Sequence, residues 1–271
     1  MTPALPALPA GVSWSVCLRD ARTGEVIAAH QPDAVVSTAS VGKLFVLIEA
    51  ARRFASGELD PAEQLSRDRE DQVADSGLWQ VLRQPELSAE DACWLVGAVS
   101  DNLATNALLR RLGLESVTAL TKTLGFTDSR LLDRVRDQRA PDDPPALSVG
   151  TAAELADLMV RMSRAEVLAA PVSEQVLGWL RVNTDLSMVA SAFGLDPLAH
   201  READRSVRLA NKTGTDAGVR ADVGVVGGPD AAIAYAVLAQ WDPDGGDRRD
   251  DVLSAMAAIG QWVSGRLRRA D

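Results

Sequence analysis

The chain has 271 residues, 46% of them hydrophobic and 24% charged, with a formal net charge of −10. That length can bury a sizeable core, and acidity spread along the whole chain excludes nucleic acid or an anionic membrane as the main partner. No apolar run reaches the roughly 20 residues of a membrane span, and the two histidines, His30 and His200, lack neighbours at ligand or triad spacing, so neither a metal nor a cofactor is expected.

In chain order, Met1–Ala10 has no basic segment and is broken by prolines, which makes it a poor secretory signal and predicts residence in the cytoplasm, or secretion if a leader has been removed. Residues 13–18 and 25–29 read as two strands joined by the turn Asp20-Ala-Arg-Thr-Gly24. The apolar run from Val41 to Phe54 predicts a buried helix. Helices are predicted over 61–83 and 88–99, the second opening on the loose capping box Ser88-Ala-Glu-Asp91. Another runs over about 103–112 and stops at Gly113.

Residues 127–147 are rich in Asp, Arg and Pro without apolar periodicity, and a loop of that length in a compact domain is functional or disordered. Helices resume over about 151–163 and 172–182, strands over 206–213, 221–226 and 231–240, and a last helix over about 249–268. Strands at both ends around a helical middle predict an α+β fold: one five-stranded antiparallel sheet with flanking helices and an inserted all-α lobe. The sheet lobe is expected over about 11–36 and 206–271, the helical lobe over about 37–205, as one domain and a monomer.

Three short motifs carry chemistry. In Ser40-Val-Gly-Lys43 the two side chains share a helix face. The helix start favours developing negative charge at Ser40, and burial makes Lys43 lose its proton more easily, so a neutral amine sits beside a hydroxyl as general base. Ser100-Asp-Asn102 lies between two helices, where the same residue types also serve as caps. Lys212-Thr-Gly-Thr215 ends a strand, with Gly214 allowing close approach to the backbone and Lys212 adding charge. Lys43, Lys122 and Lys212 are the only lysines among 28 basic residues, which marks positions where arginine does not suffice. Lys122-Thr-Leu-Gly125 imitates the third motif but falls in a helix–turn pattern. Cys17 and Cys93 read as two buried thiols.

The ordered set S-x-x-K, S-D-N and K-T-G resembles class A β-lactamases and penicillin-binding proteins. Leu95-Val-Gly-Ala-Val-Ser-Asp-Asn-Leu-Ala-Thr-Asn-Ala-Leu-Leu109 and Gly218-Val-Arg-Ala-Asp-Val-Gly-Val-Val226 extend the likeness to about residues 12–268. The resemblance implies a serine hydrolase in which Ser40 attacks an acyl carbon, Lys43 takes its proton and Ser100 relays it. It further implies that Asn102 binds the substrate's side-chain amide and that Lys212 and Thr213 hold a carboxylate. The N–H groups of Ser40 and Thr215, beside Gly214, would form the oxyanion hole, and Arg220 would add a carboxylate contact. Trp79 reads as a core residue more than as a wall of the site.

The long loop departs from the family. Leu132-Asp-Arg134 resembles its opening, but Val135-Arg-Asp-Gln-Arg139 follows, with an arginine where the family's water-activating glutamate would fall. Asp137 is the nearest carboxylate and a poor substitute. Leu47 also replaces one cysteine of the family disulfide, whose partner Cys93 matches. The expected partner is a small molecule, a β-lactam or a related carboxylate-bearing amide or ester, with slow release of the acyl group. The alternatives are a cytoplasmic peptidase or esterase of the same fold, or a penicillin-binding acyl trap without turnover.

Overall fold

In the computed structural model, which describes residues 4–204 and 206–267, the two ends of the chain meet in one antiparallel sheet. The first half supplies β1 (Ser13–Asp20), β2 (Val26–His30), β3 (Val36–Ser37), α1 (Lys43–Ser56), β4 (Gln64–Ser66), β5 (Glu86–Ser88), α2 (Ala89–Val99), α3 (Asn102–Leu112) and α4 (Leu114–Thr123). The second supplies β6 (Arg130–Leu131), β7 (Ser148–Gly150), α5 (Ala152–Ser163) and α6 (Ala170–Leu180). It closes with β8 (Arg208–Asp216), β9 (Val219–Gly227), β10 (Ala232–Gln240) and α7 (Arg249–Ser264). The five-stranded sheet runs β2-β1-β10-β9-β8, so the N-terminal hairpin docks on the last strand and β8 is an edge. Residue 268, the last of the predicted C-terminal helix, lies outside the described residues.

Alternation along β10 divides the core. Ile233, Tyr235, Val237 and Ala239 face one side with Met256, Ile259 and Val263 of α7. Ala234, Ala236 and Leu238 face the other, with Leu44, Ile48, Leu155 and Met159 of α1 and α5. The helices start where the sequence offers caps: Ser88 Oγ accepts from Asp91 N at 3.0 Å, and Asp101 Oδ1 from Ala104 N at 2.8 Å. Cys17 and Cys93 are buried free thiols, and burial raises both above an ordinary thiol.

One predicted helix is absent. Residues 61–83 form β4, a 3-10 turn at Arg69–Asp71 and an extended loop. A helix there would need right-handed backbone at Asp75 and Ser76, whose φ values are 52° and 39°, and at Gly77, at 118°. The loop instead wraps the buried Asp101 carboxylate, whose Oδ2 accepts from Leu78 N at 2.7 Å and Trp79 N at 2.8 Å. Gly77 is required for that approach, because a Cβ there would stand 2.3 Å from Asp101 Oδ2. Helix α1 also begins later than its apolar run, since Ala39–Gly42 forms a 3-10 turn before it.

Candidate active site

Ser40 sits in that 3-10 turn, directly before α1, and lines two adjoining cavities of about 380 and 140 Å3. Ala39 before it has a φ of 45°, a strained backbone for a residue with a Cβ. The turn is held from below: Ser148 Oγ donates to Ala39 O at 2.6 Å and pairs with Thr38 Oγ1 at 2.7 Å. It is held from the side by β8, where Gly214 presses on it. A Cβ at Gly214 would lie 2.2 Å from Thr38 O and 3.1 Å from Ser40 N, so only glycine lets the strand and the serine backbone meet.

Lys43, fully buried in the first turn of α1, donates to Ser100 O at 2.6 Å, to Ser100 Oγ at 3.1 Å and to Asn102 Oδ1 at 2.6 Å. Burial, then the nearby Lys212 charge, push it well below an ordinary lysine. Lys212, equally buried, reaches the same hydroxyl from the opposite side, at 3.0 Å, and donates to Thr213 O at 2.9 Å. Burial lowers it to about 8, with Asp185 and Asp222 opposing the shift. One serine hydroxyl therefore bridges two amines, on a backbone held left-handed at φ 55°. Thr213 and Thr215 join Ser40, Ser100 and Asp185 around the smaller cavity.

Two expected substrate contacts are engaged otherwise. Asn102 lines the larger cavity, but its Nδ2 donates to Asp75 O at 2.7 Å and Ala74 O at 3.2 Å while its Oδ1 receives Lys43. Its amide is spent on positioning Lys43 and the 74–76 loop. Arg220 stands opposite Thr215 in register, yet its Nη1 donates to Val219 O at 2.7 Å and Asp216 O at 3.1 Å, and its guanidinium lies 5.9 Å from the Trp241 ring. It does not line the cleft. Trp79 is wholly buried and donates to Gln84 O, and Lys122 sits in the last turn of α4, away from the cleft.

Sequence reasoning missed a buried polar network behind the Lys212 strand. Asp222 Oδ1 accepts from Asn211 Nδ2 at 2.9 Å and from the Tyr235 hydroxyl at 3.1 Å, and Asn183 Nδ2 donates to Asn211 Oδ1. Burial raises the Asp222 carboxyl to about 7. An acid and an amide at inward positions of β8 and β9 were the available signal. The loop wall of the cleft presents Val135, Arg136, Asp137 and Arg139. Asp137 Oδ1 accepts from Ala74 N at 2.7 Å, while Arg136 Nε and Arg139 Nη1 each reach Asp133 Oδ2 at 2.6 Å.

A sheet built from both termini, helices on its faces and a serine between two buried amines define a serine hydrolase of the β-lactamase fold. The chain belongs to the beta-lactamase enzyme family, which it matches over residues 7–267. A curated relative, the beta-lactamase regulatory protein BlaB of Streptomyces cacaoi, is 25% identical, with 95% of this chain and 94% of that protein covered. Among solved structures, a beta-lactamase from Sphaerobacter thermophilus superposes with a TM-score of 0.82 at 23% identity, covering 95% of this chain and 92% of that one. PBP-A, as an L158E mutant in acyl-enzyme complex with penicillin G, gives 0.79 at 18% identity, covering 95% and 90%. These structures establish the shared fold.

Proposed function

We propose that Ser40 is acylated by β-lactams or related carboxylate-bearing amides and esters, and that the acyl group leaves slowly. The observation that carries this reading is the Ser100 hydroxyl held between Lys43 at 3.1 Å and Lys212 at 3.0 Å, on the cavity that Ser40 also lines. Lys43, once it has shed one of the three protons it donates to Ser100 and Asn102, takes the Ser40 proton as Oγ bonds to the carbonyl carbon. The oxygen of the tetrahedral intermediate is held by the N–H groups of Ser40 and Thr215, a donor pair worth about 3 kcal/mol per group in acyl transfer. As the C–N bond breaks, Ser100 gives its proton to the leaving nitrogen and is reprotonated from the amines behind it. Thr213 and Thr215, which line the smaller cavity, hold the substrate carboxylate with the charge of buried Lys212 behind them, and Asn102 keeps Lys43 in place. Arg220, occupied by backbone carbonyls, is left out of that carboxylate site.

Slow release follows from the loop wall. Its only carboxylate at the cleft, Asp137, is fastened to Ala74 N, and its neighbours there are arginines. An acyl trap without turnover is a second reading, favoured by that wall and by the regulatory relative. Intact mass followed over time with a penicillin and a cephalosporin, with Ser40→Ala as control, separates the two. A Ser40-dependent adduct decaying over minutes supports slow hydrolysis, and one persisting for many hours supports the trap. Decay in seconds overturns slow release. No adduct and no drug consumed overturns the β-lactam reading and leaves esters and open-chain amides to be assayed.

A further inference from the structure

A second chamber, of about 410 Å3, lies beside the catalytic cleft and shares Val73, Ala74 and Asp137 with it. Across that shared wall Ala74 N donates to Asp137 Oδ1 at 2.7 Å, and Ala74 O accepts from Asn102 Nδ2 at 3.2 Å. Thr215, Asp216, residues 73–76 and the loop all line the cleft, and the chamber shares the part formed by Val73, Ala74 and Asp137. An acyl arm that extends from Ser40 along the cleft to Val73, Ala74 and Asp137 reaches the wall shared with this chamber.

The chamber holds two ions of opposite sign. Arg67 Nη1 donates to two neutral carbonyls, Leu82 O at 2.9 Å and Trp79 O at 3.1 Å. Its sequence neighbour Asp68 and nearby Asp71 both pair with Arg110. Among the described residues, no carboxylate forms an ion pair with Arg67. Asp137 is likewise in no ion pair among them, because the arginines beside it are taken by Asp133 and Asp143. Gln72 and Gln80 add amide groups to the same walls. Asp137, Gln72 and Gln80 are exposed and Arg67 is half-buried, so both charges are open to a ligand that supplies counter-charges. A purely anionic arm meets repulsion from Asp137 and a purely cationic one from Arg67, whereas a zwitterion satisfies both.

We propose that this chamber is a subsite for an acyl arm ending in an α-amino acid, its carboxylate on Arg67 and its ammonium on Asp137. The proposal rests on acylation of Ser40 and names the substrate class for that site. It is tested with one cephalosporin nucleus carrying three arms: aminoadipyl, glutaryl, which lacks the ammonium, and phenylacetyl, which lacks both charges. Second-order acylation rates are read by intact mass. The aminoadipyl compound is expected to react roughly ten-fold faster than the phenylacetyl one, as one charge-assisted contact implies. Asp137→Asn, which keeps the acceptor for Ala74 N, is expected to bring the aminoadipyl-to-glutaryl ratio close to one. Arg67→Gln is expected to lower the ratios of both charged arms to phenylacetyl, and Arg67→Lys to retain most of them. A defect confined to folding moves all three rates together. Equal rates for the three arms in the parent protein, or variants that leave the ratios unchanged, overturn the subsite and leave Ser40 acylation standing. No adduct from any arm overturns the acylation reading, and this one with it.

Discussion

At the scale of single residues, the two buried lysines do opposite jobs from similar surroundings. In the proposed mechanism Lys43 works when it has lost its proton, and Lys212 when it has kept it. Arginine cannot take the first role, because its guanidinium stays charged at any workable pH. Lys43→Arg is therefore expected to cut Ser40 acylation by roughly a thousand-fold or more, through loss of the base. A thermal melt beside the mass assay shows that the fold is intact. Lys212 sets the alkaline side. Its ammonium, at about 8, is lost as pH rises through that value, so kcat/KM for carboxylate-bearing substrates is expected to fall above it. The sign for stability is reversed. The unfolded lysine holds its proton to about 10.4 and the folded one only to about 8, so the unfolded state binds more protons in that window and stability rises with pH across it. Below pH 8 the cost of burying the charge stands in full, on the order of 3 kcal/mol. Lys212→Met should raise Tm at pH 7 while abolishing acylation; a lowered Tm would overturn the account.

At the scale of elements, Asp101 does more than its place in a motif suggests. One oxygen caps α3, and the other gathers the 75–79 loop through Leu78 N and Trp79 N. The carbonyls of Ala74 and Asp75 accept from the Asn102 amide, whose oxygen accepts from Lys43. Asp101→Ala is expected to cost about 2–4 kcal/mol, from a lost cap and buried N–H groups left unpaired. It should also slow acylation although the residue touches no substrate, and urea unfolding with the mass assay measures both. Gly214→Ala has the same double effect by a different route, since its methyl would need the space of Thr38 O. Overpacking there is expected to cost about 1–3 kcal/mol and to part Thr215 from Ser40. The helices that begin on Ser88, Asp101 and Thr151 were legible because a cap and an apolar period agree. The stretch 61–83 was not, because what shapes it is a carboxylate some twenty residues downstream, and no local pattern records that. Leu78 and Val81, 48% and 73% exposed there, bury no helical face.

At the scale of the whole molecule, the cleft is a seam between the edge of the sheet and the helices, and the long loop is the third party that closes it. Three motifs located the seam because each lies where two elements meet: the turn before α1, the α2–α3 junction and the end of β8. The loop's own geometry was illegible, since it depends on ion pairs within 133–143 and on attachment to distant backbone. Asn106 receives Val135 N and donates to Val135 O and Asp71 O, and Arg134 Nη1 donates to Glu70 O. Burial pushes the Asp133 carboxyl up, but hydrogen bonds from Arg136 and Arg139 outweigh it and hold it below the usual range. Arg136 also meets Asp143 at 3.1 Å. This clamp decides what a restored glutamate would do. Arg136→Glu would set a third carboxylate beside Asp133 and Asp143 in place of the guanidinium that now neutralises them, and like-charge repulsion would turn it away from the cleft. Breaking a largely buried pair costs about 3–5 kcal/mol at the upper end, and the loop that should aim the new group loosens at the same time. The variant is expected to melt at lower temperature and to keep its penicilloyl adduct as long as the parent does. Arg136→Gln serves as control for loss of the clamp without the added charge. An adduct cleared in seconds in the glutamate variant alone would show that a carboxylate at this position suffices, and that the arginine clamp is no barrier to turnover.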